Sequence, residues 1–258
     1  MSKLVENLKH FRLVTFDITD TLLRFRTDPA LQYAKVASEF GYPNVDPSRL
    51  AQNFRVNFRE MAEKYPVLGY HHPEEIGGWY NWWHQLVIRT FETSNARIPS
   101  KDLDRIAGHL IKAFETSECW ERISSADHLV GDIKSAGKTV GVITNSDPRV
   151  RTVVKNLQLP EFDFVLCSFD IGHQKPSRKI FDRALEVAGD GIKASESLHV
   201  GNTPLLDYVG AREAGWSGVL ITNQSDKWMD HSDHIDSTKV YSTLKEFHEA
   251  LKDQKMKL

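Results

Sequence analysis

The chain has almost no cysteine, no long apolar run and no excess of charge of either sign, and each absence removes a class of protein. Its two cysteines, Cys119 and Cys167, stand far apart and outside any CxxC spacing. Neither a disulfide framework nor a thiolate zinc site is supported, and a reducing, cytoplasmic compartment is expected. No segment approaches the apolar length that spans a bilayer. Met1 to Phe11 carries Lys3, Glu6, Lys9 and His10, too polar a stretch for the apolar core of a signal peptide. A formal net charge of -2 gives no global reason to expect binding to nucleic acid or to an anionic membrane, so the partner must be read from a site.

What remains is average material, 40% apolar and 26% charged, in 258 residues, enough for one large domain or two modest ones with a substantial core. The useful signal is a series of short apolar runs, each ending abruptly in a polar residue. Leu13 to Phe16 ends at Asp17, Val140 to Ile143 at Thr144, Phe164 to Cys167 at Ser168, Leu198 to Val200 at Gly201, and Val219 to Ile221 at Thr222. Non-alternating, β-branched runs of this length suit strands covered on both faces of a parallel sheet.

Helical segments fall between the last of these. Asp127 to Ala136 is closed by Gly137, and Asp147-Pro148 reads as a cap followed by proline at the first helical position. Ile180, Phe181, Ala184, Leu185 and Ala188 share one face, and Leu205 to Ala214 is closed by Gly215. Thr243 and Glu246 match a capping box for a final helix to about Met256. The alternation predicts an α/β fold with a doubly wound, Rossmann-like parallel sheet, in which sites gather at the carboxyl ends of the strands.

Residues 24–120 break the alternation with helical periodicity and predict an inserted helical domain, leaving 1–23 and 121–258 as the core domain. Phe54 and Phe58, then Trp79, Trp82, Trp83, Leu86 and Val87, then Ile106, Leu110 and Phe114 mark its apolar faces. Two of the three tryptophans are expected in its core, because clustered aromatics at helical spacing bury one another. Tyr70-His71-His72-Pro73 lacks carboxylate or cysteine partners at ligand spacing and reads as a solvated loop. Lys252, Lys255 and Lys257 read as a solvated helix end.

The polar residues at the strand ends carry the chemistry. Asp17, at the tip of a buried strand in Thr15-Phe16-Asp17-Ile18-Thr19-Asp20-Thr21-Leu22-Leu23, is placed to act as a nucleophile. Thr144 and Asn145 could hold phosphate oxygens at a helix start. Lys175, in Gly172-His173-Gln174-Lys175-Pro176, brings a positive charge. Gly201-Asn202-Thr203-Pro204-Leu205-Leu206-Asp207 brings an amide and a carboxylate oxygen, hard ligands of the kind Mg²⁺ accepts. Alone, each has a plainer reading as a turn or helix cap; their joint order reverses those odds.

Aspartate, threonine, lysine and acidic segments in this order resemble the successive motifs of the haloacid dehalogenase superfamily, and 24–120 resembles the helical cap of its cap-bearing members. More narrowly, Asp17 to Leu23, Trp82-Trp83 and Asp207-Tyr208 look like the animal haloacid-dehalogenase-like hydrolase domain-containing proteins of the rhythmically expressed gene-two type. The resemblance implies a hydrolase in which Asp17 attacks phosphorus of a small phosphorylated metabolite, Thr144, Asn145 and Thr19 bind the transferring group, and Lys175 neutralises charge. It implies Mg²⁺ held by Asp17, the Thr19 carbonyl, Asn202 and Asp207. Thr19 stands where hydrolytic members carry a second, acid-base aspartate, a loss that typically costs on the order of 10² to 10⁴ in rate. Asn202 stands where a metal-site aspartate is usual. Asp20 is one residue out of register with the missing acid. The alternative is a catalytically impaired protein of the same fold that binds a phosphorylated ligand or a protein partner. Dehalogenation of a small acid would share the nucleophile but gains no special support from Thr144 and Asp207.

Overall fold

The apolar runs become the strands of one parallel sheet. In this computed structural model, which describes residues 2–224 and 228–253, the sheet comprises β1 (Leu13–Phe16), β4 (Thr139–Thr144), β5 (Phe164–Cys167), β6 (Ser197–Gly201), β7 (Ser217–Ile221) and β8 (Val240–Tyr241). Their order is β5-β4-β1-β6-β7-β8, and every neighbouring pair is parallel. All of β1 and β6 is buried, Thr15, Ser197 and His199 included, as strands covered on both faces require. The chain leaves β1 towards β4 and β5 on one side and later returns to β6, β7 and β8 on the other. The carboxyl end of β1 is therefore the topological switch point, where an open α/β sheet leaves a crevice. The Rossmann-like expectation holds.

The chain divides into two compact units, residues 1–24, 122–145 and 158–258, and residues 25–121 with 146–157. In the first, the helix Arg178–Ala188 turns Ile180, Phe181 and Ala184 onto Leu13, Ile143, Phe164 and Leu166 of the sheet. Gly201 closes β6 where a Cβ would overlap the Asp207 carboxylate, so only glycine leaves Asp207 its place. Pro204–Val209 winds as a π-turn before the short helix Gly210–Glu213, where a single helix from Leu205 to Ala214 is expected. Thr243 caps the helix Leu244–Ala250 by accepting the Glu246 N–H at 3.1 Å, while the Glu246 carboxylate takes the Ser242 N–H at 2.7 Å. Met256, Lys255 and Lys257 lie outside the described residues.

The second unit is helical. Pro29–Glu39 and Pro47–Lys64 both begin with proline and are capped by Asp28 and Asp46, whose carboxylates accept from Ala30 N and Ser48 N. With Trp79–Thr93 and Ser100–Ala113 they bury Tyr33, Val36, Leu50, Phe91, Ile106 and Leu110. Of the three tryptophans only Trp82 is fully buried; Trp79 and Trp83 are half-buried and flank the Arg149 guanidinium, 5.0 and 5.5 Å from their ring centroids. Tyr70 and His71 are exposed. The unit differs from the expected 24–120 in also taking in 146–157. Asp147 accepts from Trp83 Nε1 at 2.8 Å, Arg149 donates to the Ile111 carbonyl at 3.0 Å, and Asn156 donates to the Glu115 carbonyl at 2.9 Å. The helix there starts at Arg149, whose N–H donates to Asp147 Oδ1. Strands β2 (Leu23–Phe25) and β3 (Trp120–Arg122) pair with each other and have no counterpart in the sequence reading. No helix among the described residues is long and apolar enough to cross a membrane.

Candidate functional site

Asp17 is the first residue past β1, and its N–H still donates to Val200 O at 2.9 Å, so the sheet fixes its backbone at the switch point. Beyond it the chain folds back tightly, with the N–H groups of Thr21, Leu22 and Leu23 all directed at the Ile18 carbonyl. Thr19 is half-buried in this turn, and Asp20 is exposed with φ at +58°, a left-handed conformation that L residues seldom adopt. Thr144, the last residue of β4, is buried.

Lys175 reaches this point from the loop before Arg178–Ala188. Its ammonium is 2% exposed and donates to Asp17 Oδ1 at 2.7 Å, Asp207 Oδ1 at 2.6 Å and the Ile143 carbonyl at 2.8 Å. The structure thus brings Asp17, Lys175 and Asp207 together from distant parts of the chain. Asn145 braces the lysine: its Nδ2 donates to Lys175 O at 2.9 Å and its Oδ1 accepts Lys175 N–H at 2.7 Å. Both amide atoms therefore serve the Lys175 main chain, a task different from the phosphate contact expected of Asn145. Pro176 packs where a Cβ on Gly210 would strike it, so that glycine admits the loop.

Asp207 is held on every side. Oδ1 accepts from Lys175 and lies 3.1 Å from His199 Nε2, and Oδ2 accepts Thr203 N–H at 2.8 Å. His199 in turn lies 2.9 Å from the Thr15 hydroxyl through Nδ1. The sequence reading missed Thr15 and His199. The signal was a histidine inside the apolar run Leu198 to Val200, and a threonine two residues before Asp17, hence on its face of the strand.

Burial pushes the Asp17 carboxyl up to about 6, against the pull of Lys175. Burial acts the same way on Asp207, but the Lys175 charge and the His199 hydrogen bond outweigh it and hold that carboxyl well below the usual range. Lys175 stays charged: burial disfavours its ammonium, and the two carboxylates more than compensate. Burial lowers His199 to about 4, so its ring is neutral at pH 7.

At neutral pH two carboxylates thus face one ammonium, a local sum of -1 that repels a phosphate dianion. A divalent cation would reverse that sign. The donors suit a hard cation: the Asp17 carboxylate, the Thr19 carbonyl and the half-buried Asn202 amide are oxygen ligands, and Asp207, with both oxygens accepting hydrogen bonds, would act through water. Among the described residues no three His, Cys, Asp or Glu side chains gather as a metal-binding group, so such a site depends on amide and main-chain oxygens beside the carboxylates.

Residues 11–215 match the haloacid dehalogenase-like hydrolase family. The chain is 35% identical over 257 residues to the Rhythmically expressed gene 2 protein of Drosophila melanogaster, covering 96% of this chain and 98% of that one. It is 33% identical over 211 residues to the human haloacid dehalogenase-like hydrolase domain-containing protein 3, covering 81% of each. Among solved structures, the magnesium-bound HAD-hydrolase YfnB of Bacillus subtilis superposes with a TM-score of 0.68 at 16% identity, over 93% of this chain and 98% of that one. A 2-haloacid dehalogenase of Pseudomonas syringae gives 0.56 at 25% identity, over 82% and 86%.

Proposed function

Because the chain belongs to the haloacid dehalogenase-like hydrolase family, we propose that it is a slow, magnesium-dependent phosphohydrolase that carries a phosphoryl group on Asp17. The observation that carries this reading is the Lys175 ammonium bound between Asp17 and Asp207 at the carboxyl end of β1. An Asp17 oxygen forms the bond to phosphorus as the ester oxygen departs with its electron pair. Lys175 orients the carboxylate and offsets charge gathering on the phosphoryl oxygens, and Thr144 lies at the adjoining strand end to bind one of them. Water then attacks phosphorus, releasing phosphate and restoring Asp17. Asp17, Thr19, Asn202 and Asp207 would hold Mg²⁺, which supplies charge neutralisation of the phosphate.

Thr19 cannot supply a proton at neutral pH, so an alkoxide leaving group departs unaided. Esters with acidic leaving groups are the substrates expected to turn over. The test is phosphate release from a chromogenic aryl phosphate, with and without Mg²⁺, with Asp17→Asn as control. Release that needs Mg²⁺ and disappears in the variant supports the reading, and release indifferent to Asp17 refutes it.

Thr19 and Asn202 favour a second reading, a site that holds a small phosphorylated metabolite without turning it over. Asp17-independent binding of phosphate esters with no release identifies that case. Halide release from a 2-haloacid is the control suggested by the Pseudomonas dehalogenase.

A further inference from the structure

We propose that His199, donating from Nε2, is a positioning residue that fixes the Asp207 carboxylate so that Lys175 is delivered to Asp17. Asp207 Oδ1 already accepts from the Lys175 ammonium and Oδ2 from Thr203 N–H, so the ring nitrogen 3.1 Å from Oδ1 is the donor of that contact. Nδ1 lies 2.9 Å from the Thr15 hydroxyl, which also reaches the Leu198 carbonyl at 3.4 Å. The parallel register sets Thr15 directly beside His199, and alternation along β1 puts Thr15 on the same side as Asp17. A chain of contacts therefore runs from Thr15 through His199, Asp207 and Lys175 to Asp17, leaving β1 and returning to the residue just past its end.

A fully buried histidine in the middle of a strand is unfavourable unless both ring nitrogens are paired, and an apolar residue would fill the space at lower cost. Here both are paired, and Phe181 packs against the imidazole in a T-shaped contact, with ring centroids 5.5 Å apart at 83°. Thr203 N–H holds the other Asp207 oxygen. Without the His199 donor, Oδ1 would rest on the ammonium alone and the carboxylate could swing about its last torsion, taking Lys175 with it.

This inference rests on the phosphoryl-transfer reading only for its kinetic arm. In the ¹⁵N-labelled parent, NMR of the ring nitrogens should show the Nε2–H tautomer, and the Lys175 ammonium should give a resolved signal. His199→Phe keeps the ring volume without a donor, whereas His199→Gln reaches Asp207 with an amide N–H. The Phe variant should lose or displace the ammonium signal and lower kcat on the aryl phosphate by about 10- to 100-fold with KM little changed. The Gln variant should recover most of both.

An Nδ1–H tautomer in the parent, an unchanged ammonium signal in His199→Phe, or a Gln variant no better than the Phe variant would each overturn the proposal. Should the parent release no phosphate, the phosphoryl-transfer reading fails by itself, and the tautomer and ammonium signals still decide this one.

Discussion

Lys175→Met is the most searching perturbation, because it removes a buried charge while nearly preserving side-chain length. The parent has an ammonium bonded to Asp17, Asp207 and the Ile143 carbonyl in a site almost without solvent. In the variant the two carboxyls face each other with no counter-charge, so each disfavours ionisation of the other. Removing one partner of such a buried network destabilises by about 3 to 5 kcal/mol. Urea unfolding at pH 7 should show that loss. Adding Asp17→Asn should return part of it, since contacting charges couple by about 0.5 to 3 kcal/mol.

The sign of the pH dependence is fixed as well. In the parent, Asp207 has a folded pKa below its unfolded one, so its contribution to stability is present above the unfolded value and is lost as pH falls through the folded one. Asp17, raised to about 6, behaves oppositely: its contribution is present at low pH and is lost as pH rises through 6. In Lys175→Met both carboxyls move up and the pair takes a proton, so the deficit relative to the parent should shrink on acidification towards about pH 5. A loss at pH 7 below about 1 kcal/mol, smaller than even one unsatisfied buried group should cause, or a double variant no more stable than Lys175→Met, would refute the charge balance.

Thr19→Asp combined with Asn202→Asp should raise phosphate release, by restoring an acid-base group and a metal carboxylate; a folded double variant no faster than the parent contradicts the account of slow turnover. Gly201→Ala should destabilise the fold by about 1 to 3 kcal/mol, as overpacking against the Asp207 carboxylate requires, and should weaken Mg²⁺ binding by calorimetry. Trp83→Phe removes the donor to Asp147, which is buried, and should cost about 1 kcal/mol in thermal or urea unfolding; no change would mean that Arg149 alone satisfies that carboxylate.

The sheet was legible because β1, β4, β5 and β6 are largely buried and so carry short, mostly apolar runs, and because the polar residue after each run marks the edge of the crevice. The convergence of Asp17, Lys175 and Asp207 was legible through the order of their motifs and its resemblance to the haloacid dehalogenase superfamily, together with the gathering of sites at the carboxyl ends of parallel strands. The Thr15–His199 pair was hidden because register is a non-local property: nothing in either strand alone says which residues become neighbours. The Asn145 bracket on Lys175 depends on side-chain direction, and the 146–157 segment joins the helical unit through Arg149, Asp147 and Asn156 reaching main-chain and indole groups far away in sequence. β2 and β3 were missed because each has only three residues and no uninterrupted apolar run.

That last allegiance of 146–157 bears on any attempt to trim the molecule. Excising 25–121 along the lines suggested by the sequence would strand a helix whose Val150, Val153 and Val154 are buried, together with an Asp147–Arg149 pair robbed of its indole and carbonyl partners. The shortened polypeptide would display a greasy strip immediately downstream of Thr144 and Asn145 and should self-associate. A soluble minimal version has to redesign that helix along with the deletion.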